Sequence, residues 1–323
     1  MKAISVFSGG LDSILAVEII RRLGIEVLAV FFETPFFTSE KKVKKYTDAV
    51  HLPIRIIDIT ERHLEVLKNP THGYGRNMNP CIDCHALMFR IAGELLREEG
   101  AVFIITGEVL GQRPMSQNRH AFSIIDRESG MEGLILRPLS AKYLDRTVPE
   151  EKGWVKREDM MDFSGRSRRP QMELAKKLDI KEYPSPAGGC LLTNEVFSRR
   201  LKDLMTCNPL FERRDIELLK TGRHFRINPK TKLIIGRKEE ENDFIISLAK
   251  EEDLCLNTPS IPGPDTLVTG EITPLVEELA AVMTVSYSDA KIRETQVKIR
   301  HKGTEKNFKV RGRDKEGFRR YMI

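Results

Sequence analysis

The sequence predicts an α/β fold, a parallel sheet with helices on both faces, followed by a second, smaller α+β domain. Three features carry this reading. Over residues 1–141, short apolar runs alternate with helix-length amphipathic stretches, the pattern of a parallel sheet with helices packed on it. The first apolar run, 3–7, ends in Ser8-Gly9-Gly10-Leu11-Asp12-Ser13 and opens directly into a helical pattern at 14–20. Such a strand-to-helix turn lies at the carboxyl edge of the sheet, where ligands of this fold class bind. From Thr221 the pattern changes to short strands with one helix, and 323 residues suffice for about two domains.

Taken in order, 25–32 is nearly continuous in apolar residues and reads as a strand buried on both faces. A helix is expected at 39–50, a strand at 54–59, a long helix at 82–99 and a strand at 102–106. The stretch 142–219 reads as a connector packed on the first domain. It is irregular and polar up to 189, with the basic run Arg166-Ser167-Arg168-Arg169. Pro170 then starts a short helix at 171–178, where its missing N–H is tolerated. The Pro-Ser-Pro-Ala-Gly-Gly turn at 184–189 presents Cys190, and a helix follows at 194–205. Residues 220–323 form the second domain, with strands at 232–235, 244–246 and 253–256, a Pro-Gly-Pro turn at 262–264, a helix at 274–286, and strands at 295–301 and 307–311.

At 40% hydrophobic and 31% charged, the composition is that of a soluble globular protein. The chain enters its first strand with no basic-plus-apolar leader, and no apolar run approaches the roughly 18 residues of a membrane span. The expectation is therefore a cytoplasmic protein with no membrane partner. Five cysteines, an odd number, argue against a disulfide framework and for thiol or metal chemistry. The content of Glu, Lys, Arg and Ile hints at a thermophile. The net charge of +6 is concentrated: residues 291–323 hold twelve Lys/Arg against four Asp/Glu, which leaves about −2 for residues 1–290. Such a run reads equally as a solvated surface or, interleaved with Phe308, Phe318 and Tyr321, as a nucleic-acid surface, where phosphates reward charge and aromatic rings stack on bases.

The loop at 8–13 points to a phosphate. Two glycines let the backbone wrap an anion closely, Ser8 and Ser13 add hydroxyl donors, and the helix N-terminus faces the same point. Asp12 would repel a phosphate unless a divalent cation lay between them, so the loop implies Mg2+ with its nucleotide. No Gly-Lys-Ser/Thr follows, and Gly-x-Gly-x-x-Gly is absent. The plain alternative is a structural Gly-rich turn. Asn79-Pro80-Cys81-Ile82-Asp83-Cys84-His85 sets two thiols at metal- or redox-pair spacing where a helix begins. The helix N-terminus is expected to lower their pKa. Cys190, flanked by glycines, supplies a third thiol, whereas Cys207 and Cys255 read as structural.

Ser-Gly-Gly-Leu-Asp-Ser resembles the PP-loop of the N-type ATP pyrophosphatases, which have the adenine nucleotide alpha hydrolase-like fold. The resemblance implies that ATP is split between its α and β phosphates, AMP is transferred to a carbonyl-type oxygen, and pyrophosphate leaves into the loop. Thr106-Gly107-Glu108, with Gly111-Gln112 and Ser116-Gln117, resembles the second adenylate-contacting segment of the tRNA 4-thiouridine synthases, and Leu136-Arg137-Pro138-Leu139 resembles another segment of that family. ATP contacts are thereby implied for Ser8, Gly9, Gly10, Asp12, Ser13, Gly107, Gly111, Gln112, Ser116 and Gln117. Phe31, at the carboxyl end of the second strand, is set with them. Arg137 is too, with a structural role as its alternative.

The NPCxxC stretch followed much later by Cys190 is similar to the tRNA 2-thiouridine synthases and their iron–sulfur-dependent relatives. That likeness implies a cluster on Cys81, Cys84 and Cys190, of the 4Fe–4S kind, with one iron left without a protein ligand. Zinc is the alternative, with His85 as a fourth ligand. Ile235-Gly236-Arg237, Asn242-Asp243, Pro262-Gly263 and Ser286-Tyr287-Ser288-Asp289-Ala290 resemble the RNA-binding domain of the NFACT proteins. Unlike the 4-thiouridine synthases, the chain shows no THUMP-type domain before the loop and no rhodanese domain after it. RNA binding is then expected from the C-terminal domain and sulfur from the cluster.

Together these resemblances imply an ATP-dependent tRNA sulfurtransferase with Asp12, Cys81, Cys84 and Cys190 as catalytic residues. Its expected partners are tRNA and a sulfide or persulfide donor, and a homodimer is allowed. The three thiols are expected to converge and to face the loop across one cleft. Two other readings keep the loop: an amidotransferase or ligase acting on a small carboxylate with a structural zinc, and a non-catalytic ATP- and RNA-binding protein.

Overall fold

The computed structural model describes residues 1–37, 40–183 and 190–323. The turn expected at 184–189 and the first residue of the helix expected at 39–50 lie outside the described residues. The chain divides into two compact units, Met1–Asn194 and Glu195–Ile323. The stretch 142–219 is shared between them.

The first unit is built on a five-stranded parallel sheet in the order β3-β2-β1-β4-β5. Its strands are β1 (Lys2–Val6), β2 (Glu26–Glu33), β3 (Ile54–Asp58), β4 (Phe103–Thr106) and β5 (Ile135–Leu136). Alternation within β2 divides the interior into two cores. Val27, Ala29 and Phe31 point to one face, and Leu28, Val30 and Phe32 to the other. The first face is covered by α1 (Leu11–Arg22), together with Val43 of α2 (Glu40–Ala49) and Ala175 of α7 (Arg169–Lys177). The second face takes α4 (Cys81–Glu99) and α5 (Arg119–Ser129). Two further helices, α3 (Thr60–Lys68) and the one-turn α6 (Val148–Glu151), complete this unit. Parallel connections of this kind bring the β1–α1 and β4–α5 turns to one edge.

The second unit is a six-stranded sheet in the order β11-β10-β8-β9-β7-β6, with every pairing antiparallel. Its strands are β6 (Arg223–Asn228), β7 (Thr231–Ile235), β8 (Leu254–Asn257), β9 (Thr266–Gly270), β10 (Glu294–His301) and β11 (Thr304–Arg311). One face packs against α11 (Pro274–Tyr287) through Leu233, Leu254, Leu256, Val297 and Ile299. Leu218 of α9 (Arg213–Leu218) and Ile245 of α10 (Glu239–Ser247) cover part of the other face. The helix α8 (Glu195–Cys207) opens the unit.

The α/β class, with a second α+β unit, is thus the observed one. One element differs: 244–246 is not a strand but lies in α10. Three successive aliphatic or aromatic residues carry no period, while Glu239, Glu240 and Glu241 ahead of them suit the positive end of a helix dipole. Only Ile245 of the three is buried. The helices α3, α5, α6 and α9 and the strands β5, β6 and β9 had no counterpart in the sequence reading. No helix among the described residues is long and apolar enough to cross a membrane.

Candidate nucleotide and thiol site

The turn after β1 is held open from within. Ser13 Oγ donates to the Gly10 carbonyl at 2.8 Å, and the Ser8 and Ser13 hydroxyls are 3.3 Å apart. Gly9 has φ +71°, and a Cβ there would meet Val43 Cγ2 at 2.8 Å. α1 begins at Gly10 with no side-chain cap, so N–H groups of its first turn are left for an external acceptor. Gly107, at the end of β4, presses on this turn: a Cβ would lie 2.4 Å from the Asp12 carbonyl carbon and the Ser13 nitrogen. Only glycine permits that approach, which puts the 107–117 loop beside the phosphate turn.

From that loop Gln112 Nε2 donates to Asp12 Oδ2 at 2.9 Å. Asp12 Oδ1, Gln112 Oε1 and Gln117 Oε1 are buried acceptors with no hydrogen-bond partner. Buried oxygens are rarely left so, and acceptors of this hardness suit Mg2+. Gly111 (φ +79°) turns the loop, its N–H donating to the Gln117 carbonyl at 2.5 Å. Ser116 and Gln117 are buried. Phe31 packs in the α1 core and is 4% exposed.

Arg137 is also 4% exposed, and its guanidinium is occupied. It makes a fork to Asp126 at 2.7 and 3.0 Å and a third bond, at 3.0 Å, to Glu108. The geometry supports its structural reading rather than the phosphate-facing one. Glu108 Oε1 in turn meets His85 Nδ1 at 2.8 Å. Burial pushes the Glu108 carboxyl up, but the Arg137 guanidinium and His85 outweigh it and hold it below the usual range. A buried charge chain thus ties the cysteine helix to the residue after Gly107. Glu108 and Arg137 sit in recognisable motifs. Asp126 looks in sequence like any polar residue of an amphipathic helix, and nothing marks it.

Cys81 opens α4, and Cys84 lies one turn later, buried. The segment carrying Cys190 is bound beside them. Leu191 N–H donates to the Phe36 carbonyl at 3.4 Å, and Cys190 Sγ lies 3.9 Å from the same oxygen. Met78 N–H donates to the Leu192 carbonyl at 3.3 Å, and Asn77 Nδ2 to the Thr193 carbonyl at 2.7 Å. Cys190 and Cys81 are both near enough to Cys84 to disfavour its ionisation. The Asn79 and Ser116 side chains lie near enough to Cys81 to favour its thiolate.

The expected lowering of thiol pKa is corrected here. Burial pushes Cys81 up despite the opposing charge of Arg113, raises Cys84 further, and takes Cys190 to about 11. Desolvation of the thiolate exceeds what one helix terminus returns. Three neutral thiols are therefore neighbours, but no group of three His, Cys, Asp or Glu among the described residues is closed into a ligand set. Cys207 is half-buried and Cys255 buried, both in the second unit.

Residues 1–147 match the family described as "Thiamine biosynthesis protein (ThiI)", and residues 222–322 match "NFACT protein RNA binding domain". The chain thus resembles ThiI over its first part and the NFACT RNA-binding domain over its last. A "Probable tRNA sulfurtransferase" of Thermotoga maritima is 34% identical over 161 residues, 47% of this chain and 39% of that protein. One of the same description from Geobacillus kaustophilus is 32% identical over 43% of this chain and 34% of its own length. The chain thus spans little more than a third of these relatives. Among solved structures, a 4-thiouridine synthetase–RNA complex with bound ATP aligns at a TM-score of 0.35 and 24% identity, over 55% of this chain and 51% of that one. The ThiI-type match ends at 147, so Cys190 lies beyond it.

Proposed function

We propose that this protein is an ATP-dependent tRNA sulfurtransferase, acting in the cytoplasm, that adenylates a uridine carbonyl and replaces its oxygen with sulfur. The observation that carries the reading is one loop with two contacts. Gln112 of the 107–117 segment bonds Asp12 in the phosphate turn, and Ser116 of the same segment lies beside Cys81, near enough to ease its ionisation. A site that activates an oxygen and a site that supplies sulfur must act on the same carbon, and one short loop joins them. The similar proteins described as tRNA sulfurtransferases support the substrate, as does the RNA-binding domain match.

The uracil carbonyl oxygen attacks the α-phosphorus of ATP, and pyrophosphate departs into the 8–13 turn. There the first N–H groups of α1 and the Ser8 and Ser13 hydroxyls meet the charge that develops. Asp12 and Gln112 would hold Mg2+ against it. Sulfide delivered at the thiol site then adds to the same carbon, and AMP leaves with the oxygen. Cys81, Cys84 and Cys190 would hold an iron–sulfur cluster, which when bound supplies an iron without a protein ligand. Holding it requires the thiols to lose their protons, which their burial resists in the free protein.

The test is release of AMP and pyrophosphate with and without tRNA, followed by mass spectrometry of the nucleosides. Release that depends on tRNA, with a thiolated uridine formed, is the expected result. Cys190→Ser should keep the release and lose the thiolation. Release indifferent to tRNA would favour a ligase acting on a small carboxylate, and no release at all would leave only ATP and RNA binding.

A further inference from the structure

On the face of the second sheet opposite α11 there is a cavity of about 480 Å3. Sites for small ligands span about 300–1,000 Å3. Val297 and Ile299 of β10 point into the α11 core, so the alternating Lys298 and Arg300 stand on this outer face. Register sets Lys298 opposite Asn257 and Arg300 opposite Cys255 of β8. The cavity therefore has cations along one wall. Its other wall is acidic, with Asp243 from α10 and Asp265 from the turn before β9, and Cys255, 8% exposed, is part of the lining.

The two walls act on one another only at a distance: the Arg300 charge favours the Asp265 carboxylate without bonding it. Among the described residues no hydrogen bond or ion pair joins Asp243 or Asp265 to Lys298 or Arg300. Lys298 pairs at 2.9 Å with Glu305, which also lines the cavity, and Arg300 lies 3.8 Å from the Cys255 sulfur. Burial, with Asp243 adding to it, pushes the Asp265 carboxyl up against the opposing influence of Asn257 and the Arg300 charge. A cavity with acceptors on one side and cations on the other is complementary to a nucleotide whose base offers N–H donors and whose other end is a phosphate. Guanine presents adjacent N1–H and N2–H donors that one carboxylate accepts together. Uracil presents a single N–H between two carbonyl oxygens, which a carboxylate repels. Bases of RNA are read this way where they are unpaired and can leave the stack.

We propose that this cavity is a pocket for a guanosine nucleotide of unpaired RNA, with Asp265 and Asp243 facing the base and Lys298 and Arg300 facing the phosphate. The proposal rests on the RNA-binding reading above and adds to it a site and a base preference.

The test uses the full chain and fluorescence anisotropy with labelled UUGUU and UUUUU oligoribonucleotides, with whole tRNA as a control. The expected result is UUGUU binding about tenfold tighter, the discrimination of one bidentate base contact. Asp265→Asn should abolish that preference, and Lys298→Gln should weaken both oligomers alike. Asp243→Asn, at an exposed position of α10, serves if the first variant melts early. Equal affinities in the unaltered chain, or a preference that survives both carboxylate changes, would overturn the pocket while tRNA binding persisted. The pocket is also read without RNA: GMP should slow alkylation of Cys255 by a small thiol reagent and UMP should not. Protection by GMP in a chain that binds no tRNA would sink the RNA-binding reading and keep the pocket. No protection would sink the pocket.

Discussion

His63 should make the first unit acid-labile. It is 0% exposed in α3, packed edge-on against Phe36 and Phe37, and neither ring nitrogen has a hydrogen-bond partner. Burial alone lowers its pKa from 6.5 to about 4. The folded state binds the proton less well than the unfolded state. The contribution of the neutral ring is therefore complete above 6.5 and is lost as pH falls from there towards 4. A separation of that size corresponds to about 3 kcal/mol in full, and to roughly 2.5 kcal/mol at pH 4.5. For a unit of this length the second figure is a fall in Tm of roughly 5–10 °C. The effect bears on the thiol site, since the Phe36 carbonyl holds the Leu191 N–H beside Cys190.

The assay is a melting series of the full chain and of His63→Leu between pH 7.5 and 4.5, followed by a near-ultraviolet signal. Carboxylates titrate in both proteins, so the difference between the two curves isolates His63. The variant should gain on the original by the stated amount as pH falls. Parallel curves would refute the reasoning and would mean that the ring finds a polar partner, such as a buried water.

Asp12→Asn should abolish pyrophosphate release with an unchanged melt, because it removes the proposed Mg2+-facing charge and keeps the shape that Gln112 binds; unaltered kinetics would defeat the loop assignment. Glu108→Gln should cost about 3–5 kcal/mol in urea unfolding, since it strips one partner from the buried Arg137 and leaves charge uncompensated; a loss below 1 kcal/mol would show that Asp126 suffices alone. In the second unit Lys232 is 5% exposed and burial lowers its pKa to about 8, with Asp203 3.7 Å away. The native state holds that proton less well than the unfolded one, so stability should rise with pH between about 8 and 10.5. Lys232→Met should gain up to about 3 kcal/mol at pH 7 and lose the advantage across that window, as urea titrations at pH 7 and 10.5 would show; a destabilised variant at pH 7 would mean that the ion pair outweighs the burial.

What the sequence determined by itself is local. The parallel sheet was legible because β2 is apolar on both faces, and the phosphate turn because a strand, two glycines and a helix follow one another within a dozen residues. Cys81 and Cys84 share a site because they stand three positions apart on one helix. Where local pattern was silent the reading failed: three apolar residues at 244–246 fit either structure, and only packing of Ile245 on the sheet, with acidic residues at the helix start, selects the helix. The tertiary structure alone decided what depends on distant partners. Gln112 reaches Asp12 from 100 positions away, Cys190 is brought beside Cys84 by hydrogen bonds to Phe36 and to 77–78, and Arg137 turns inward to Asp126 and Glu108. It also reversed the sign of the thiol shifts. Spacing reveals a helix N-terminus, but the cost of desolvating a thiolate depends on everything packed around it, and that is known only once the chain has closed.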